Sequence, residues 1–453
     1  MRFRVLRHNL ESSFWFLPLL WVIGLSGLAL VLITLDRQLS TREIYLELPY
    51  LLLAEVAGAR TLLGAIASAL LTVATLAFSI IMLGVVQTSN AYSPRILDEY
   101  LSDPMNQHVL GIFLGTFLYT LFVLREVRGT VEADYIPPLS VAGALVFIFI
   151  ATLAFIYFLG HVAHSIKVSD IIKRIETETK EVMEVVFPED MGRPWPAEQP
   201  PEMPKETPGT IVATRDGYVA AIVSDKLLTA VTRAGALVQL EITVGDHVLR
   251  NTPLATVWPA DKTDSLTKLV QATIVLQDER TLLQDFLYGA QQLDEMAIRA
   301  LSPAINDPAT AVNCIDGLAS IVVELAHHPP VSPYRCDSTG KLRVIAPGQT
   351  FAALLDVAFN QIRHYGASDP VVMSHLLRVY RQIGYAVSQP AERAALWEHV
   401  RQLAWSANAN LRAPFEREAV NQSLREAARV LGHDPTPLLL NPTDQPHPHL
   451  TGE

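Results

Sequence analysis

The chain has 453 residues, half of them apolar and only 18% charged, with a mean hydropathy of +0.26. A soluble domain carries about a quarter charged residues, so part of this chain avoids water. Its 35 basic and 46 acidic residues leave a net charge of −11, which excludes nucleic acid as a first-choice partner, because phosphate binding needs clustered lysine and arginine.

The apolar residues are concentrated. No Lys, Arg, Asp or Glu lies between Glu11 and Asp36, Arg60 and Arg95, Asp103 and Arg125, or Asp134 and Lys167. Each gap holds the ~20 residues that a bilayer-spanning helix requires. Four transmembrane helices are predicted, at 13–35, 61–86, 107–124 and 138–160, in a membrane domain over residues 1–163. The start is basic (Arg2, Arg4, Arg7), but the apolar stretch after it is too long for a signal-peptide core and reads as a retained helix. Lysines and arginines flanking the spans number eight on the side of the N-terminus and Lys167–Lys180, against five on the other. The cytoplasmic face carries the excess, so both termini are expected there.

Residues 164–187 alternate charge with Ile171, Ile172, Ile175, Val182 and Val185 on a helical repeat, an amphipathic connecting helix. Seven prolines between Pro188 and Pro208 predict an extended linker over 188–208. Short β-type runs broken by Asp216-Gly217 and Gly245-Asp246 fill 209–260, read as a small β-barrel or sandwich module. Residues 261–432 are predicted to be a helical bundle, with helices near 351–365, 370–387 and 391–409. The Pro- and His-rich 433–453 is predicted to be a disordered tail. The fold class expected is thus a four-helix membrane domain followed by a cytoplasmic α+β region.

Helix two is the most informative segment. Gly64, Ser68, Thr72, Thr75 and Ser79 are spaced 4, 4, 3 and 4 apart, which places them on one helical face. Such a stripe can line a pore, where hydroxyls face water, or serve tight helix packing, which uses the same small residues. The uncharged polar continuation through Gln87 and Asn90 to Arg95 favours a pore with a vestibule at its mouth. Leu71, Leu76 and Leu83 are the gate candidates. Gly111 and Gly115 in helix three form a G-x-x-x-G pair, read as packing against helix two, with a subunit contact as the alternative. No ionisable group lies deep in any span, which weakens a pump or proton-coupled carrier.

His161 and His164 sit one turn apart without a completing Cys or carboxylate, so they read as interfacial histidines and no metal is assigned. Cys314 and Cys336, the only two cysteines, read as reduced cytosolic thiols. Residues 244–257 look like the strand-turn-strand of biotinyl- or lipoyl-type modules. Lys226 lies outside the turn a carrier would need, so the module reads as structural. Downstream, Asp278, Arg280, Asp285, Asp294 and Arg299 alternate sign and are read as one helix. Ahead lies Ala300-Leu-Ser-Pro-Ala-Ile-Asn-Asp-Pro308, where Asp307 is placed to cap the helix that Pro308 opens. Arg299, Asn306 and Asp307 read as an ion-paired turn, with a ligand pocket as the alternative. There is no G-x-S-x-G, H-E-x-x-H, G-x-x-x-x-G-K-[ST] or G-x-G-x-x-G signature; neither catalysis nor a cofactor is expected.

Three separated motifs carry a resemblance: Asn90-Ala-Tyr-Ser-Pro-Arg-Ile-Leu97, Leu110-Gly-Ile-Phe-Leu-Gly-Thr-Phe-Leu-Tyr119 and Arg299-Ala-Leu-Ser-Pro-Ala-Ile-Asn-Asp-Pro308. With them the chain, to about residue 430, resembles a bacterial family of predicted membrane proteins with a domain of unknown function. Tyr92 stands where Phe is expected. The resemblance implies a bacterial inner-membrane location and brings no substrate or catalytic residue. The function expected is an oligomeric ion channel, its partners being the bilayer, further copies of the chain and inorganic ions; a membrane-anchored sensor or scaffold is the alternative.

Overall fold

The computed structural model describes residues 14–39, 56–91, 103–129, 134–165, 167–184, 186–197 and 199–441, and the chain divides into two compact units, 1–170 and 171–453. The first unit holds helices α1 (Phe16–Leu39), α2 (Val56–Ala91), α3 (Pro104–Glu126) and α4 (Pro138–Ser165). A two-residue ladder, β1 (Arg128–Gly129) with β2 (Asp134–Tyr135), joins α3 to α4.

Helix α3 is the centre and packs on the other three. Val109 and Phe113 on one side join Ile66, Leu70, Ala74, Ala77 and Ile81 of α2 and Ala151, Phe158 and Val162 of α4 in an apolar core. Two residues along a helix turn it by about 200°, so Gly111 and Gly115 face the opposite way. They meet α1, not α2 as the sequence suggested. A Cβ on Gly111 would lie 2.8 Å from Trp21 Cδ1, and one on Gly115 would lie 2.8 Å from Leu25 Cδ1 and 3.0 Å from the Trp21 carbonyl oxygen.

Helix α1 runs past its predicted end to Leu39 and carries charge with it. Asp36 is fully buried. Its carboxylate accepts from the backbone N–H of Leu139 at 3.1 Å, the N–H of Ser140 at 2.9 Å and the Ser140 hydroxyl at 2.6 Å. Asp36 thereby caps the first turn of α4 from a different helix, satisfying donors that lipid cannot. Tyr119 of α3 donates to the Ser140 carbonyl at 2.8 Å. Nearby, Arg37 pairs with Glu126 at 2.6 Å, and Arg60 donates to the Val127 carbonyl at 3.0 Å. At the far end of α3, Asp103 accepts from the Met105 N–H at 2.8 Å and meets His161 Nε2 at 2.6 Å. His161 is therefore tied to α3; the His164 side chain is outside the described residues.

The second unit begins with α5 (Val168–Met183) and continues through β3 (Arg193–Pro194), β4 (Gly209–Val212), β5 (Gly217–Ile222), α6 (Ser224–Ala234), β6 (Leu237–Leu240), β7 (His247–Val248), β8 (Pro253–Trp258), α7 (Thr263–Thr273) and β9 (Ile274–Gln277). Then come α8 (Phe286–Ala300), α9 (Pro308–His327), β10 (Tyr334–Cys336), β11 (Leu342–Ile345), α10 (Phe351–Tyr365), α11 (Pro370–Ala386), α12 (Pro390–Asn410) and α13 (Pro414–Leu431).

The strands form an open six-stranded sheet in the order β3-β10-β11-β6-β8-β4 and a three-stranded sheet β7-β5-β9. No barrel closes among the described residues. The β region also exceeds 209–260, because β3, β9, β10 and β11 join it from outside. β11 runs parallel to β6, with Val344 opposite Val238. Inside the expected β module sits α6, since Leu227, Leu228 and Val231 recur at helical spacing and bury against the sheet core. Lys226 lies exposed on this helix.

Three further expectations change. The Pro-rich 188–208 does not run free: Met191 is fully buried, and Arg335 donates to the carbonyls of Met191 at 2.5 Å and Glu189 at 2.7 Å. Asp278, Arg280 and Asp285 lie ahead of α8 instead of on a helix with Asp294 and Arg299. Residues 433–441 are fixed: Leu440 is buried, Asn421 exchanges hydrogen bonds with its backbone at 2.7 and 3.1 Å, and His433 stacks on Trp397 at 4.2 Å. Residues 442–453 lie outside the described residues.

Among the described residues, five helices are long and apolar enough to cross a membrane: α1, α2 over Val56–Val86, α3, α4 over Pro138–Val162, and α9. The fifth sits inside the second unit, where Gly317 meets Ile172 of α5 and Leu293 of α8, and Ser320 donates to Glu176 of α5 at 2.6 Å.

Asp36→Ala strands two buried N–H groups of α4, and is expected to cost about 2–4 kcal/mol, with Asp36→Asn losing less because one acceptor oxygen remains. Unfolding of the chain in micelles, followed by helical circular dichroism, reads this; an unchanged midpoint in Asp36→Ala would count against the capping role.

Candidate functional site

The side of α2 that packs inward carries Ala59, Leu63, Ile66, Ala67, Leu70, Ala74, Ala77 and Ile81, all buried. At about 100° per residue, the stripe of Ser68, Thr72, Thr75 and Ser79 lies on the opposite side. All four are exposed, and Gly64 at the head of the stripe has open space where a Cβ would go. Leu71 flanks the stripe on one side and Leu76 and Leu83 on the other, each 48–60% exposed. Among the described residues, no other element covers this face. Gln87 and Asn90 continue the helix, but their side chains are outside the described residues, as is Arg95.

The hydroxyls are held by their own helix. Thr72 donates to the Ser68 carbonyl, Thr75 to that of Leu71 and Ser79 to that of Thr75, each at 2.9 Å. Each proton is thereby used locally, leaving the oxygen lone pairs outward as acceptors. Such a face offers oxygens to water or a cation, and little to an anion.

The Arg299–Pro308 motif is a helix-to-helix turn. Asp307 caps α9, accepting from the Thr310 N–H at 3.1 Å and the Thr310 hydroxyl at 2.6 Å. Those two bonds hold its carboxyl below the usual range. Asn306 takes a positive φ of 50°, where Asn is tolerated, and its N–H donates to the Ser302 carbonyl at 2.9 Å. The Asp307 N–H reaches the Ala300 carbonyl at 2.8 Å, and the Ser302 hydroxyl donates to the Arg299 carbonyl at 2.7 Å. Arg299, Asn306 and Asp307 thus share one turn, shaped by the Asp307 carboxylate and by the backbone groups of all three.

Two nearby acids, which the sequence places on one sign-alternating helix, have separate roles. Asp285 caps α8, accepting from Tyr288 N–H at 3.1 Å, and pairs with Arg280 at 2.7 Å. Asp294, in the middle of α8, is 4% exposed, and its Oδ1 has no partner among the described residues. Burial, reinforced by Glu295, pushes its carboxyl up to about 8. The only available signal was its place among Leu293, Met296 and Ala297 on the buried face.

Residues 11–382 match a family described as "Predicted membrane protein (DUF2254)". The chain is 29% identical over 432 residues to the uncharacterized protein Rv1290c of Mycobacterium tuberculosis strain H37Rv and to the uncharacterized protein Mb1321c of Mycobacterium bovis, in each case covering 93% of this chain and 81% of the relative. No solved structure matches.

Because Asp294 titrates near 8 when folded and near 4 when unfolded, the folded state holds the extra proton between those values. Stability contributed by the neutral carboxyl is present at low pH and falls through that window, by up to about 1.4 kcal/mol per pH unit. Asp294→Asn is expected to flatten the decline and to raise the thermal midpoint at pH 8 relative to wild type. Parallel pH profiles of the two proteins would sink the assignment.

Proposed function

Since the chain belongs to the family of predicted membrane proteins (DUF2254), we propose that it works inside the bilayer as an oligomeric, cation-conducting channel whose pore is lined by α2. The observation carrying this reading is the hydroxyl stripe turned away from every other helix of its own unit. A single stripe encloses nothing, so the reading requires copies arranged about a closed rotational axis. Ser68, Thr72, Thr75 and Ser79 would replace part of the hydration of a passing ion. Leu71, Leu76 or Leu83 would close the path by excluding water, and Gln87 and Asn90 would stand at its mouth.

In this reading α1 to α4 span the inner membrane of a bacterium with both termini cytoplasmic, in line with the arginine and lysine bias. Helix α9 is instead a core helix of the cytoplasmic unit. Supporting this, Asp316 on its surface accepts from His375 of α11 at 2.7 Å and Ser320 joins the Glu176 and Lys180 cluster of α5. The charged Glu176–Lys180 pair that Ser320 joins would be costly against lipid. The cytoplasmic unit then assembles the subunits, and the protein is a transporter of ions and not an enzyme.

A second reading is favoured by a different observation. Because Thr72, Thr75 and Ser79 satisfy their protons on their own backbone, the stripe can also rest against lipid, leaving a membrane-anchored sensor or scaffold. Ion flux from proteoliposomes separates the two. Thr72→Leu is expected to cut potassium flux at least about tenfold while the oligomer stays intact by size, and Gly64→Leu, which meets open space in the single chain, to cut it without loss of stability. Flux that is absent from wild type, or indifferent to both substitutions, would overturn the channel.

A further inference from the structure

Between residues 286 and 431 the second unit exposes six large apolar or aromatic side chains: Ile305, Tyr365, Val371, Tyr385, Trp405 and Phe415. Scattered singly they would carry no meaning, since every protein surface has some. All but Tyr385 stand at one end of the helices, as the helix directions show. Helix α5 runs parallel to α9, because Ile172 faces Gly317 and Glu176 meets Ser320. Helix α8 runs against both, with Gly289 on Thr179 and Leu293 beside Gly317. Helix α10 is parallel to α8: Gln349, just ahead of it, donates to Asp285 at 2.6 Å, and Asp294 lies beside the Ile362 backbone. Helix α12 is parallel to α10 in turn, through His399 with Asp356 at 3.3 Å and Arg363 with Ser406 at 2.9 Å.

One end therefore gathers the start of α5, the 301–307 turn between α8 and α9, the 366–369 turn between α10 and α11, and the 411–413 link between α12 and α13. Ile305 lies in the first of these turns, Tyr365 closes α10, Val371 is the second residue of α11, Trp405 is in the last turns of α12, and Phe415 is the second residue of α13. Trp405 and Phe415 are 75% and 76% exposed. The chain enters the unit by this same end. Apolar α4 stops at Ser165 and α5 begins at Val168, which allows at most about 10 Å of extended backbone between them. The charges at this end are sorted as well. Asp170, Asp307, Asp369 and Glu416 occupy helix starts, where the N-terminal dipole offsets them. Lys167, His364 and Arg412 are exposed.

We propose that this end of the second unit rests in the headgroup layer of the bilayer, with Ile305, Trp405 and Phe415 entering its apolar side and Lys167, His364 and Arg412 facing lipid phosphates. Tryptophan and tyrosine beside basic residues are the side chains that a membrane interface selects, each ring having an apolar body and a polar tip. The short tether from α4 holds the patch near that surface, whereas a soluble partner would have to find it. The 301–307 turn then has a task, since the positive φ of Asn306 and the Asp307 cap shape the loop that presents Ile305. This placement requires α4 to cross the bilayer and requires nothing of the pore.

The test is tryptophan fluorescence of the full-length chain in nanodiscs of phosphatidylcholine and phosphatidylglycerol, with plain or dibrominated acyl chains, bromine quenching an indole that it reaches. The Trp405 signal is wild type minus Trp405→Phe. Trp397, eight residues back along α12 and so about 12 Å further from this end, is read in the same way through Trp397→Phe. Trp405 emission is expected to fall roughly twofold or more in the brominated discs and to resist aqueous iodide, while that of Trp397 stays unchanged. Ile305→Ser combined with Phe415→Ser, both at exposed positions, is expected to weaken the quenching of Trp405. Trp21 of α1 remains in every variant, and its quenching reads insertion of the first unit separately. Equal Trp405 emission in plain and brominated discs, or equal quenching of Trp397, would overturn the proposal. So would shielding from iodide without quenching by bromine, which would mean that protein, a second copy included, covers the patch.

Discussion

A helix that starts inside a membrane domain exposes backbone N–H groups that neither lipid nor its own first turn can accept. Asp36 answers that constraint for α4, and the rest of the membrane unit is arranged around it. The carboxylate is delivered from α1, so α1 must run long enough to reach the start of α4. It must also lie close against α3, which the absence of side chains at Gly111 and Gly115 permits. Tyr119 of α3 then takes up the carbonyl of the same Ser140. With α1 on one side of α3, the apolar side of α2 packs against the other, and its hydroxyl stripe is turned outward.

Much of this was legible in the chain. Charge-free gaps mark the four apolar helices of the first unit because a charge at mid-bilayer is costly. Helices α10, α11 and α12 follow from Thr350 and Asp369 as caps and from the prolines opening α11 and α12. What could not be read is of one kind. Asp36 looked like the residue that ends a span, because its value comes from Ser140, about a hundred positions away. The parallel pairing of β6 with β11 has the same origin: four apolar residues carry no mark of which strand they will meet. The Pro-rich 188–208 was taken as a linker on composition, while what holds it is the guanidinium of Arg335.

Conspicuous residues and working residues also part company. Asn306, Asp307 and Pro308 stand out in the sequence, yet each is used up in turning the chain from α8 into α9. Gln349 and Glu392 attract no notice in sequence, yet both line a cavity of the second unit. A turn demands particular residues and so leaves a signature, whereas a cavity is assembled from ordinary ones drawn from distant segments.

The pairing of β6 with β11 bears on how the chain is made. On its other edge β6 meets β8 within twenty residues, so that side is covered almost as it emerges. Its β11 edge waits for Val344, 106 residues after Val238. At a synthesis rate of about 5–20 residues per second, that interval is roughly 5–20 s. Throughout it, an apolar strand edge, Leu237-Val-Gln-Leu240, stands open, the kind of template on which unrelated strands add. A ribosome that stalls or a message that ends between these two strands therefore releases a product with an open edge.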